Sequence, residues 1–402
     1  MDIRIPAPAA EIIDKLNSHG YEAYIVGGCV RDMLLGREPG DWDITTSALP
    51  RQVKQVFKRT VDTGIQHGTV TVLIGKAGYE VTTYRVDGEY LDGRHPDTVS
   101  FTPDLREDLR RRDFTINAMA YNSMKGIIDD FGGQEDLRAG IIRCVGNPMD
   151  RFSEDALRIL RAIRFSAQLG FEIEEKTWEA ICASAPSLAR VSKERIQVEL
   201  TKLLLSGHPE HMALVWESGI SPYVSQAFHG LAAGPKELPA APVSVPPVKH
   251  MRWAALLRKS DPERAVRVLK DLKLDNDTIY KVKTLVTWTN EALEPDKVQI
   301  RRVMSRMEPE LFDDLLTLKA CLAEAASAAD RESLPKIRSL TGEIRRDGDC
   351  ISLKTLAVDG RDIIEAGVKP GKEVGACLAR LLALVLEKPC RNTKEYLLQH
   401  LK

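Results

Sequence analysis

Charge of a dominant sign is missing from this chain. Its 402 residues carry 57 Lys and Arg against 58 Asp and Glu, so no global field draws it to nucleic acid, and a polyanionic partner must be met by local basic surface. Paired cysteine motifs are missing as well. Cys29, Cys144, Cys182, Cys321, Cys350, Cys377 and Cys390 are scattered with no C-x-x-C and no metal spacing with histidine, which predicts reduced thiols in a cytoplasmic protein. No uninterrupted apolar run reaches membrane-spanning length, and the opening MDIRIPAPAAEII has no apolar signal core, so no membrane partner is expected. Segments of period two become scarce from Phe152 onward. That scarcity divides the chain into an N-terminal mixed α/β head with a small sheet and an all-α remainder, an α+β protein overall. At this length two to four domains are expected. The boundaries drawn are a head at 1–138, a helical neck at 139–207, a helical body at 208–300 and a helical tail at 301–402.

The stretch from Val26 to Ser47 carries the first chemistry. Tyr24, Ile25 and Val26 read as a short buried strand, Gly27-Gly28 as a turn without side chains, and Val30 to Leu35 as a helix stopped by Gly36 and Pro39. Backbone N–H groups freed at the glycines, the positive helix end and the cation of Arg31 describe a phosphate cradle, with Gly28 at its base. Next come Asp41, Trp42 and Asp43, leading into Ile44-Thr45-Thr46 as a second strand. Alternation puts Asp41 and Asp43 on one face, where two hard carboxylates suit Mg²⁺. An isolated D-x-D is ordinarily a solvated strand edge. One that follows a phosphate cradle within a few residues reads as a metal site.

GGCVRD at 27–32, LLG at 34–36 and DWDI at 41–44 together resemble the nucleotidyltransferase head of the polymerase-beta superfamily, and within it the class II tRNA nucleotidyltransferases, the CCA-adding enzymes. Two further stretches extend the likeness: RRDFTINAMAY at 111–121 and the E-D-x-x-R pattern beginning at Glu154. IIDDFGGQEDL at 127–137 is similar to a family segment, with Asp130 where the family carries proline. The C-terminal LAVDGRDIIEAGVKPGKEVGACLARLLALVLEK is also similar to the family tail, and no His-Asp dipeptide marks the phosphohydrolase extension of some relatives.

Between these motifs the periodicities predict helices at Ala9–His19 and Leu49–Lys58, and a hairpin of Thr69–Ile74 and Tyr79–Arg85 around residues 75–78. Polar residues 87–101 predict a loop with Asp92, Gly93 and Arg94 at its tip. A helix follows at Asp104–Arg112. Ser153 is expected to cap a single helix running to Gly170, on which Asp155, Arg158, Arg161 and Arg164 are neighbours at steps of three. A charged face with ion pairs would explain that spacing by itself. Helices are further expected at Ser192–Gly207, Trp253–Arg258, Pro262–Leu272, Asp277–Thr289 and Pro309–Ala326, with a linker at Gly230–Pro247 and a last helix opened by Gly371 and Gly375.

The resemblance implies a reaction and roles. Asp41 and Asp43 would hold Mg²⁺ for attack of a tRNA 3′-hydroxyl on the α-phosphate of CTP or ATP, with Glu80 as a third acid. Gly28, Arg31 and Arg112 would hold the triphosphate. Asp155 and Arg158 would read the base, supported by Arg161 and Arg164. Cytosine and adenine each pair an exocyclic amine with a ring-nitrogen acceptor, so a carboxylate and a guanidinium can select both while leaving uracil and guanine mismatched. The expected product is C, C and A on the tRNA 3′ end, with the acceptor and T arm bound by the helical tail at 301–402. Alternatives are an enzyme adding only CC or only A, a poly(A) polymerase, or a non-catalytic RNA-binding protein. Nothing in the sequence distinguishes a monomer from a homodimer.

Overall fold

The computed structural model describes residues 4–88, 99–232, 242–323 and 328–401. The tip Asp92-Gly93-Arg94 lies outside the described residues. The chain divides into two compact units, residues 1–240 with 271–274, and residues 241–270 with 275–402.

In the first unit, α1 (Ala7–Ser18) buries Ile12, Ile13 and Leu16 as its period requires. β1 (Ala23–Val26) is buried along its whole length, and α2 (Gly28–Leu34) starts directly from Gly27, whose φ of 80° only glycine takes without strain. Then follow β2 (Ile44–Thr46), α3 (Pro50–Val56), β3 (Thr60–Gly64), β4 (Thr69–Ile74) and β5 (Ala77–Thr83). Ile74 pairs with Ala77, so the hairpin turns in two residues at Gly75 (φ 61°) rather than four. A separate ribbon joins β6 (Arg85–Asp87) to β7 (Val99–Phe101), then come α4 (Leu105–Arg110), capped by Asp104, β8 (Ala120–Asn122) and β9 (Gly126–Ile128). The sheet is mixed, with seven strands in the order β3-β4-β5-β2-β1-β8-β9; β2 and β5 are its parallel pair and the other neighbours are antiparallel. β3, β8 and β9 carry too few alternating residues to be read in advance.

α5 (Gly133–Ala139) leads through β10 (Ile141–Ile142) to the neck. The expected single helix from Ser153 is two. α6 (Pro148–Glu154) is capped by Asn147, whose Oδ1 accepts the Met149 N–H, and the Ser153 hydroxyl lies inside it, donating to the Asp150 carbonyl. The chain extends at Asp155 (φ −139°, ψ 105°) before α7 (Leu157–Leu169), whose first turn Asp155 caps by accepting the Leu157 N–H at 3.0 Å. α7 buries Ile159, Leu160 and Ile163 as its period predicts and ends at Gly170 in the left-handed region. β11 (Glu172–Ile173), α8 (Glu175–Ser184) and α9 (Lys193–Leu204) complete the neck.

The second unit is helical, with helices at Lys249–Leu257, Asn276–Thr289, Lys297–Met304, Pro309–Ala323, Ala328–Arg346 and Lys372–Glu387. Leu381 and Leu386 are buried and Leu378 and Leu382 half-buried, and Arg301, itself buried, donates to the carbonyls of Leu386 and Glu387, closing the end of the Lys372–Glu387 helix, which a short helix at Lys394–Gln399 follows. No helix among the described residues is long and apolar enough to cross a membrane.

Candidate active site

The acids stand just ahead of the sheet. Strand pairing begins at Ile44, so Asp41 and Asp43 sit in the run leading into β2 rather than within it, although the Asp43 carbonyl still accepts the Val26 N–H at 3.0 Å. Both residues are exposed, and among the described residues neither carboxylate has an ion pair or side-chain hydrogen bond. Partial desolvation, foremost, and the charge of Asp41 raise the Asp43 carboxyl above its ordinary value, with Arg112 opposing them. Two uncompensated hard oxygen donors are the set a divalent cation takes, so these residues fit one. Glu80 joins them by register. Ile44 lies opposite Val81 in the parallel pair β2–β5, which puts Glu80 level with Asp43, and Glu80 is exposed.

Arg112 is the cation whose charge acts on Asp43. A Cβ on Gly27 would come 2.8 Å from its Nη1, so the glycine turn is the surface the guanidinium lies on. Its Nε is buried with no hydrogen-bond partner, and Asp108 steadies it at 3.6 Å. Asp108 organises the last two arginines of the basic run, Arg111 and Arg112. Wholly buried, it takes Arg111 at 2.7 Å and the Thr45 hydroxyl at 3.2 Å; burial opposes its charge, yet Arg111 and Arg112 hold its carboxyl below the usual range. Arg110 remains outside, 67 % exposed, so the three arginines are not one solvated face.

Arg31 turns inward. It is 8 % exposed, donates to Asn117 Oδ1 at 2.7 Å, pairs with Asp32 at 2.8 Å and lies over the Phe165 ring at 5.1 Å. The same ring carries Arg161 at 5.4 Å and Arg164 at 3.8 Å, so one aromatic from the neck gathers three guanidiniums. Gly28 closes the turn, with Arg31 3.6 Å from where its Cβ would be.

The neck arginines and Asp155 do not form one row of ion pairs. Asp155 pairs with Arg195 at 2.7 Å. Arg158 pairs with Glu154 at 2.5 Å and donates to the Arg111 carbonyl at 2.9 Å, while Glu154 also takes Arg151. Arg161 pairs with Asp113 at 2.6 Å, and Arg164 is buried against Glu199 and Gln168. The extended backbone at Asp155 is why the steps of three fail to bring Asp155 to Arg158. Asp113, Phe165, Arg195 and Glu199 are not singled out by the sequence. Asp113 and Phe165 had a signal, one inside RRDFTINAMAY and the other four residues beyond Arg161; the rest depend on tertiary pairing. Asp130 is exposed, whereas its neighbour Asp129 accepts the N–H groups of Gly133 and Gln134 at the start of α5.

Residues 23–143 match a family model described as "Poly A polymerase head domain", residues 170–229 one described as "Probable RNA and SrmB- binding site of polymerase A", and residues 248–401 one described as "tRNA nucleotidyltransferase domain 2 putative". The CCA-adding enzyme of Geobacillus kaustophilus is 39% identical over 396 residues, covering 96% of this chain and 94% of the relative; that of Enterococcus faecalis is 39% identical over 405 residues, covering 98% and 95%. Among solved structures, the Bacillus stearothermophilus CCA-adding enzyme in complex with CTP superposes with a TM-score of 0.81 at 33% identity, covering 99% of this chain and 97% of that one. With its paired acids, its arginine-lined turn and its full-length kinship, the chain belongs to the CCA-adding enzymes, the tRNA nucleotidyltransferase family.

Proposed function

We propose that this chain adds C, C and A to the 3′ end of tRNA, taking CTP and ATP and releasing pyrophosphate without a nucleic-acid template. The observation that carries the reading is the pair Asp41 and Asp43, exposed and uncompensated beside Arg112, in a chain akin along its whole length to proteins named CCA-adding enzymes. Nothing about RNA binding alone calls for two clustered acids facing a polyanion.

The family implies a divalent metal, and Mg²⁺ is the ion we assign. Asp41 and Asp43 would hold it, with Glu80 as a third acid. When bound, Mg²⁺ supplies charge neutralisation for in-line displacement at the α-phosphate and lowers the pKa of the attacking hydroxyl. Arg112 is the triphosphate contact, its planar fork suited to phosphate oxygens. Gly27 and Gly28 let the chain approach the phosphates closely. Arg31 acts one layer behind, fixing the turn through Asn117.

Base reading falls to Asp155 and Arg158. Each already has a partner, Arg195 and Glu154, so recognition is an exchange in which the Watson–Crick edge of C or A replaces those partners. Arg161 and Arg164 hold α7 in place. The head at 1–138 performs the chemistry, the neck at 139–207 selects the base, the body at 208–300 follows it, and the tail at 301–402 grips the acceptor and T arm, in the cytoplasm.

The test is gel sizing of products from tRNA lacking its last three nucleotides, with Mg²⁺ and labelled CTP and ATP. Extension by three residues ending in A is expected. No C incorporated, arrest after CC, or a long adenosine tract would overturn the reading.

A further inference from the structure

The segment that leaves α9 carries side chains for which nucleotidyl transfer has no use. His208, Glu210 and His211 each present one ligating atom within 4.8 Å of the others. His208 Nδ1 and Glu210 Oε1 are 3.0 Å apart. That is close to the edge, roughly 3.3 Å, of a tetrahedron with bonds of about 2.0–2.1 Å to a central zinc ion.

The surroundings aim these atoms. His211 Nδ1 is engaged by the Ser166 hydroxyl at 2.6 Å, and Ser166, on α7, is 1 % exposed. The Nε2 atom is therefore the one left to ligate, held by the kind of outer hydrogen bond that orients metal-binding imidazoles. Gly170 positions His208 by contact rather than by a hydrogen bond. A Cβ there would lie 2.7 Å from His208 Nε2, so only glycine lets the ring rest on the end of α7, with Nδ1 turned toward Glu210. The two rings are 5.6 Å apart, and an open hollow of about 420 Å³, lined in part by Trp178, Glu210 and His211, adjoins them with room for a water.

We propose that His208, Glu210 and His211 form a site for a borderline divalent transition ion of the zinc class, with water as fourth ligand. Two imidazoles and one carboxylate disfavour the hard cation that Asp41 and Asp43 suit. The ion ties the 208–211 segment to the end of α7 through Ser166 and Gly170. Its role is bracing the helix that carries the neck arginines, not chemistry on the nucleotide.

The probe is Co²⁺, titrated into the untagged full-length protein with Mg²⁺ in excess to keep the head carboxylates occupied. One equivalent should bind with the visible absorption of a four-coordinate nitrogen–oxygen site, be displaced by Zn²⁺, and raise the thermal midpoint. His208→Gln and Glu210→Gln, at exposed side chains, should each weaken Co²⁺ binding about tenfold or more and remove the thermal shift, with Mg²⁺-dependent incorporation unchanged. Absence of the visible bands at one equivalent, or variants that bind Co²⁺ as the parent does, would overturn the site.

Discussion

Asp113 and Arg161 meet at 2.6 Å between head and neck, and the same carboxylate accepts from Asn117, which in turn receives Arg31. A four-residue relay, Arg31–Asn117–Asp113–Arg161, thus joins the glycine turn to α7. Burial opposes the charge on Asp113, but Arg161 and Arg158 hold its carboxyl well below the usual carboxylate range. A depressed folded-state pKa contributes stability that is fully present above the unfolded value, about 3.9, and is lost as pH falls toward the folded one. Asp113→Asn should cost roughly 2–3 kcal/mol at neutral pH, less than for a fully buried pair because Arg161 is a third exposed. Urea midpoints measured from pH 7 down to pH 2 should fall more steeply below pH 4 in the parent than in the variant; parallel curves would count against this role.

Asp41→Asn and Asp43→Asn should each reduce incorporation below detection while tRNA affinity stays within about twofold, because removing either carboxylate takes away a cation ligand and leaves the basic surface untouched. Filter binding and single-turnover incorporation separate the two. Near-normal turnover in Mg²⁺ would remove these residues from the metal site.

Arg158→Ala should lose discrimination of CTP and ATP against UTP and GTP by about 10²-fold or more, since an unmet buried acceptor or donor is what rejects the wrong base. Triphosphate affinity, carried by Arg112, should change much less. Competition assays with all four nucleotides report both quantities. Unchanged selectivity would reduce the Glu154–Arg158 pair to a structural link.

Gly27→Ala should act on the nucleotide through Arg112. The new methyl would stand 2.8 Å from Nη1, and φ of 80° adds strain of roughly 1–3 kcal/mol. The expected signature is a raised KM for CTP and ATP together with a lower Tm. A lower Tm with KM unaltered would detach Arg112 from the triphosphate.

Cysteine reactivity should follow burial. Cys182 and Cys390 are exposed, whereas burial pushes the Cys29 thiol up to about 11 and the Cys144 thiol up to about 12. Mass spectrometry after brief native alkylation should find label on Cys182 and Cys390 and none on Cys29 or Cys144. Early labelling of Cys29 would mean that the glycine turn opens readily.

Much of this arrangement was legible in the chain. Apolar spacing fixed α1, α3 and the buried side of α7, and local turn chemistry fixed the glycine turn and the hairpin, because each depends on residues close in sequence. What escaped depends on partners far away. Arg31 reads as an open phosphate ligand until Asn117 and Phe165, 86 and 134 residues on, draw it inward. Likewise the uninterrupted helical period from Glu154 to Leu169 conceals the break at Asp155, where an extended backbone leaves the carboxylate to cap α7 and meet Arg195. Pattern reports which faces are apolar. It does not report which charges meet.

With Glu80 proposed as a third acid, the parallel pairing of β2 with β5 would make strand alignment itself a determinant of turnover. Glu80 stands beside Asp43 only in the present phase, and a shift by one residue would send Glu80 to the opposite side of the sheet. On its other edge β5 pairs with β4 through the two-residue reversal at Gly75, which sets Thr71 opposite Glu80. A change in the length of that reversal, remote from Asp41 and Asp43, would re-pair β4 with the strand that carries Glu80, and is expected to lower turnover if Glu80 serves as proposed.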